Sequence, residues 1–228
     1  MATKPMTKSP KVPIAEKAYL ELKRRILDNE LAAGNQLMEG EVADLLNISR
    51  TPAREAMMKL ETEGLVEVRP RHGMKVKPIS ITDMAEIYAV LTGLEATAAW
   101  QAARRDATKA EIKGLKDSVK HMDAALKSKD LDAWAKADEQ FHRLLVAMSQ
   151  NKRLIDLVGR FIDQSHRARM LTLKLRPLPT QSTKDHAKVV AAIEAKDATE
   201  ARRIHQQHRE TAGLNMIELL ESHGLTQV

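Results

Sequence analysis

Four side chains stand out because helical spacing places them on apolar faces, where ionisable groups are costly. Leu131, Trp134, Phe141, Leu145 and Met148 form one apolar stripe, and Asp138 and His142 project from its edge four residues apart, pointing the same way. His186 shares a face with Val189, Val190 and Ile193, and His208 with Ala201, Ile204, Ala212 and Leu219. His205 falls nearer the edge of that last stripe, which makes His208 the inward candidate. One carboxylate and three imidazoles from three helices make a divalent-metal set, and neutral His with ionised Asp suits Zn²⁺ or Ni²⁺. Spacing equally admits a plainer arrangement, in which each ring hydrogen-bonds a carbonyl or carboxylate inside the bundle. An Asp–His₃ site with open positions would also activate water. However, the chain has no H-E-x-x-H pairing and no evident supporting base, so an enzyme is not expected.

A second set suits nucleic acid. In Asn47-Ile48-Ser49-Arg50-Thr51-Pro52-Ala53-Arg54-Glu55-Ala56, Thr51 is expected to cap a helix with Pro52 at its first position. Arg50 then lies at the helix N-terminus and Arg54 one turn on, placed to donate bidentate hydrogen bonds to guanine in a major groove. Arg69, Arg71, His72 and Lys75 sit around a hairpin turn, and Lys4, Lys8 and Lys11 in the leading segment add charge. Arg50, Thr51, Arg54, Arg71, His72 and Gly73 are the expected DNA-contacting residues.

These residues require positioning elements. Helices are expected over about Ile14–Asn29, Glu39–Leu46 (Val42, Leu45 and Leu46 inward) and Pro52–Glu63, with Asn47 marking a tight turn and Gly64 ending the third helix. Two short alternating runs, Leu65–Val68 and Met74–Lys77, flank the turn and read as a β-hairpin. Three short helices and a hairpin make a winged helix-turn-helix. After Pro78 the pattern is helical throughout: Thr82–Arg104, Lys109–Lys127, Leu131–Ser149, Lys152–Leu173, Thr183–Ala195 and Ala198–Glu221. The fold class is therefore mainly α, an N-terminal winged helix-turn-helix (12–78) followed by an antiparallel all-helical bundle (79–228), with 1–11 a disordered basic tail.

Composition agrees. Hydrophobic residues make up 43% but aromatics only 3%, so the core must be Ala, Leu, Ile, Val and Met, a mix that favours helix. Absent cysteine excludes disulfides and thiolate chemistry. No apolar run reaches the roughly 20 residues of a membrane span, and no signal peptide opens the chain, so a cytoplasmic protein is expected. The net charge of +6 does not locate a DNA site, since fourteen basic residues face eleven acidic ones up to Pro78 and twenty-three face twenty after it. His121, His166 and His223 are expected to be solvated.

The stretch from Tyr19 to Val76 resembles the GntR family of bacterial regulators, whose motif runs roughly L-x-V-S-R-T-P-V-R-E-A-L-x-x-L-x-x-x-G-L-V. Leu46, Ile48, Ser49, Arg50, Thr51, Pro52, Arg54, Glu55, Ala56, Leu60, Gly64, Leu65 and Val66 match, and Gly73 is the wing glycine. Departures are Ala53 for Val, Met57 for Leu, Ala33-Gly34 for Pro-Gly, and Gly40 where some members place a DNA-contacting side chain. The second domain resembles the FCD domain of the FadR subfamily. Its D-x-x-x-H pattern appears as Asp138 to His142, its later acid–His pair as Asp185-His186, and its terminal His as His208. The resemblance implies that Asp138, His142, His186 and His208 hold a divalent cation whose open positions face an effector, usually a small carboxylate. Leu91 stands before Leu94-Glu95 where the family often has an effector-binding Arg. The expected protein is thus a homodimeric transcriptional regulator of double-stranded operator DNA, neither an enzyme nor a membrane protein. A metal-free dimer without effector control is the alternative.

Overall fold

The computed structural model describes residues 12–225, so the tail read at 1–11 lies outside them. The chain divides into two compact units between Pro78 and Ile79.

The first unit holds α1 (Ile14–Leu27), β1 (Gln36–Leu37), α2 (Glu39–Leu46), α3 (Arg50–Thr62), β2 (Val66–Arg69) and β3 (Gly73–Val76). Leu22, Ile26, Val42, Ala53, Met57, Leu60, Leu65, Met74 and Val76 fill its core. Leu45, expected inward, is exposed, because Val42 and Ala43 already cover the inner side of the two-turn α2. Asn47 takes a left-handed conformation (φ 51°) that turns the chain between α2 and α3. α3 begins at Arg50 with Ser49 extended before it, two residues earlier than expected, so Thr51 is no cap. Pro52 is still tolerated, since first-turn amides have no intrahelical partner.

The sheet has order β1-β3-β2, all antiparallel, with Val66 opposite Val76 and Arg69 opposite Gly73. β1 was not expected, because two residues carry no alternation to read. It matters at Gly73 (φ 73°), where an added Cβ would lie 2.1 Å from the Leu37 carbonyl oxygen. The Glu61 carboxylate accepts a hydrogen bond from the Val68 amide at 2.7 Å, tying the hairpin to α3.

The second unit is helical: α4 (Ile81–Arg104), α5 (Lys109–Ser128), α6 (Leu131–Met148), α7 (Lys152–Thr172, continued by a 3₁₀ turn to Leu175), α8 (Thr180–Glu194) and α9 (Ala198–Ser222). Side chains of Ser80, Thr108, Asp130, Asn151 and Asp197 cap five of these helices. α8 has no side-chain cap and starts after Pro179. Thr183, expected at its start, is buried one turn in and accepts a hydrogen bond from Trp134 Nε1 at 3.0 Å, joining α8 to α6. α4 packs along α9, with Ala98, Ala99, Ala102 and Ala103 buried and Gly213 against Tyr88, where an added Cβ would approach the Tyr88 Cβ to 3.1 Å and its ring carbons to 3.2 Å.

Gly73→Ala should lower the opening free energy of the β2–β3 amides by about 3 kcal/mol or more, because the added methyl meets backbone. Gly34→Ala has a similar φ (83°) but open space, and should cost only about 1–2 kcal/mol. Native-state hydrogen exchange reads both, and equal losses would remove the role given to the β1 contact.

Candidate metal centre and nucleic-acid interface

The bundle gathers Asp138 and His142 from α6, His186 from α8 and His208 from α9, all buried. Donor atoms of the three histidines lie within 4.8 Å of one another. Asp138 Oδ1 is 2.9 Å from His186 Nε2 and 3.7 Å from His142 Nε2, while Oδ2 receives Arg169 of α7 at 2.6 Å. Phe141 stacks on His186 at a centroid distance of 4.2 Å and fixes the ring's plane. His208 is 7% exposed, yet among the described residues it makes no hydrogen bond. The donor set fits a divalent cation: three imidazole nitrogens lie within 4.8 Å of one another, and Asp138 Oδ1 reaches His186 and His142 while its second oxygen is taken by arginine.

Four further groups were not anticipated. Glu95 of α4, wholly buried, accepts from His142 Nδ1 at 2.6 Å and His205 Nε2 at 3.0 Å, with Arg209 at 3.6 Å. His205 is fully buried, not at the edge, because α4 closes over that side of α9. Arg169 and Arg209 drew no notice, since a long basic side chain near an apolar stripe usually reaches solvent. The one available signal was Glu95 itself, the single carboxylate among the alanines of the second half of α4. His166 is half-buried, with Nδ1 3.5 Å from a Glu139 oxygen, not solvated as expected.

A cavity of about 640 Å³ opens beside the cluster. Asp138, His142, His208, Arg169, Arg176 and Arg209 line it, and Pro177 and Pro179 form part of its rim. Nε of both Arg176 and Arg209 is buried without a hydrogen-bond partner.

In the first unit, Arg50, Thr51 and Arg54 are exposed on the first turns of α3, and Arg71 and His72 on the turn between β2 and β3. Arg50 lies over Gly40, whose Cβ position is 3.7 Å from Nη2. Gly73 is half-buried against β1. Arg24, Lys59 and Arg69 are committed to acidic partners. Among the described residues Arg50, Arg54 and Arg71 are in no ion pair, so their donors are free for phosphate or base edges.

Burial raises the Asp138 carboxyl, but His142, Arg169 and His186 outweigh it and hold it below the usual range. Burial likewise opposes ionisation of Glu95, and Arg209 and His142 overcome it. Burial pushes His205 down to about 4 and, with neighbouring imidazoles, His208 well down too. The unfolded chain takes protons on these rings near pH 6.5 while the fold does not, so chelator-treated protein should lose stability from about pH 6.5 down toward 4. The two carboxylates extend the loss at lower pH, as each protonates in the unfolded chain first. Urea midpoints at pH 7.5, 6 and 5 check this, and an increase on acidification would contradict it.

Residues 14–76 match the bacterial regulatory proteins of the gntR family, and residues 86–211 match the FCD domain. An HTH-type transcriptional regulator from the TAR-I ttuE-ttuC' intergenic region of Agrobacterium vitis is 43% identical over 132 residues, 57% of this chain and 77% of that one. The HTH-type transcriptional repressor RspR of Escherichia coli K12 is 27% identical over 88% of this chain and 87% of its own. Among solved structures, E. coli McbR/YncC superposes with a TM-score of 0.78 at 18% identity, covering 93% of this chain and all of that one. No helix among the described residues is long and apolar enough to cross a membrane. With its winged helix-turn-helix, its helical domain and these relatives, the chain belongs to the GntR family of bacterial transcriptional regulators and carries an FCD domain; it is not an enzyme.

Proposed function

We propose that this regulator is of the FadR subfamily and binds operator DNA as a cytoplasmic homodimer. In this reading its operator affinity is set by a small carboxylate bound at a divalent-metal centre of Asp138, His142, His186 and His208. The observation that carries the metal reading is the convergence of His142, His186 and His208, whose donor atoms lie within 4.8 Å of one another, with His208 lining the cavity. Zn²⁺ or Ni²⁺ suits the donors, and the ion would supply a charged centre for an anionic ligand. Asp138 and Arg169 cancel, as do Glu95 and Arg209, so the whole charge of a divalent ion would face the cavity. Arg176, with its unpartnered Nε, adds to that positive wall. These features favour a carboxylate over a neutral ligand. The domain boundary is read at Pro78, and four residues separate the end of β3 at Val76 from the start of α4 at Ile81.

On DNA, Arg50 and Arg54 are read as base contacts, with Thr51, Arg71, His72 and the Gly73 backbone positioning the unit. Arg50→Ala or Arg54→Ala should cost roughly 1–3 kcal/mol on the specific operator. Equal losses on random duplex would reduce both residues to phosphate contacts. A dimer is expected because one winged domain reads one half-site, and ultracentrifugation with operator present checks it.

Purified untagged protein should hold about one divalent ion per chain, and His142→Ala, His186→Ala or His208→Ala should each sharply reduce it. Full metal content in all three variants would show that the ligands are misassigned. A carboxylic-acid library titrated against wild type should yield an effector that changes operator affinity roughly 5- to 150-fold. If that effector acts equally on His186→Ala stripped of metal, the ion has a structural role only.

A further inference from the structure

We infer that Glu95 is the positioning carboxylate of the metal centre, holding His142 as the Nδ1–H tautomer so that its Nε2 lone pair faces Asp138, His186 and His208. The inference rests on the metal reading above.

Glu95 stands on the buried face of α4 with Leu91, Ala98, Ala99 and Ala102, where an unpaired carboxylate costs several kcal/mol. Its partners are all histidine or arginine. Oε2 takes both His142 Nδ1 and His205 Nε2, and Arg209 Nη2 stands 3.6 Å from Oε1. A guanidinium and two ring nitrogens, all able to donate, surround the carboxyl, and that geometry suits its ionised form. An ionised carboxylate only accepts hydrogen bonds, so both rings must present N–H to it. For a neutral His142 that puts its proton on Nδ1 and leaves Nε2 bare. Nε2 is also the nitrogen turned toward Asp138, at 3.7 Å from Oδ1. His186 has no such support: its Nε2 meets Asp138, and its Nδ1 is buried without a partner. Only one of the two cluster histidines on α6 and α8 is therefore oriented from behind by a carboxylate, as metal-ligating histidines commonly are.

Glu95, His142 and His205 also bring three donor atoms within 4.8 Å, the spacing of a second cation site. Arg209 argues against that use, because its guanidinium already occupies the charge complement of Glu95. His205 then serves to anchor Glu95, donating to the same oxygen as His142.

The test uses full-length protein stripped with chelator. In the metal-free wild type at pH 8.5, ¹⁵N spectra of the histidine rings should show His142 protonated on Nδ1 and bare on Nε2. A proton on Nε2, alone or with one on Nδ1, overturns the inference, and this measurement needs no variant to fold. Zn²⁺ titration of folded Glu95→Met, which has no acceptor, should give an affinity about 10- to 100-fold below wild type. Glu95→Gln, which keeps an acceptor but not the charge, should fall between. Unchanged Zn²⁺ affinity in Glu95→Met, or two ions per wild-type chain, overturns the inference while leaving the metal reading intact. A wild type that binds no Zn²⁺ overturns the metal reading itself, whatever the ring spectra show.

Discussion

The bundle is organised around the cost of burying Asp138. A carboxylate taken out of water must be matched by charge and hydrogen bonds, or it destabilises the fold by several kcal/mol. Asp138 meets that demand with Arg169 from α7 on one oxygen and His186 from α8 on the other. Glu95 imposes the same demand on α4, answered by His142 from α6 and by His205 and Arg209 from α9. Two carboxylates thus specify which faces of five helices turn inward. Apolar packing of small residues, which is tolerant of sliding, would fix those rotations less strictly.

That dependence explains what was legible in the sequence. The helices were readable because Ala, Leu, Ile and Val recur at helical spacing. Asp138, His142, His186 and His208 were readable as polar residues on apolar stripes, and the structure brings all four together. His205 was not, because periodicity along one helix cannot say how far a neighbouring helix wraps around it. Glu95 and the arginines were hidden for a related reason: their roles exist only between helices, and no spacing within a single helix records them. At finer scale, Ser49 displaced Thr51 as the start of α3, and Thr183 left its expected place at a helix end for a tertiary hydrogen bond with Trp134.

The first unit separates its charges by use. Glu63 receives Tyr19 and Lys23, and Glu21 receives Arg24 and Arg25, so much of the acid on α1 and α3 is spent on structure. Among the described residues, the arginines of this unit left without ion pairs are Arg50 and Arg54 at the α3 start and Arg71 in the hairpin turn. A near-neutral surface can in this way present a locally uncompensated set of donors, which is why overall charge carried no information about where nucleic acid binds.

The prolines at the cavity rim bear on how a ligand is received. Pro177 and Pro179 flank Leu178 between the end of the α7 extension and the start of α8. Each ring locks its own φ, and each also restricts the residue before it, here Arg176 and Leu178. Four consecutive residues of the rim therefore have little conformational freedom to lose. A molecule settling against them orders almost nothing, so the entropy usually surrendered when a loop closes on its ligand stays small. The selectivity of such a mouth comes from its fixed shape rather than from rearrangement. Replacing both prolines with glycine would weaken binding by restoring that freedom to the free protein, beyond the loss of the ring contacts themselves.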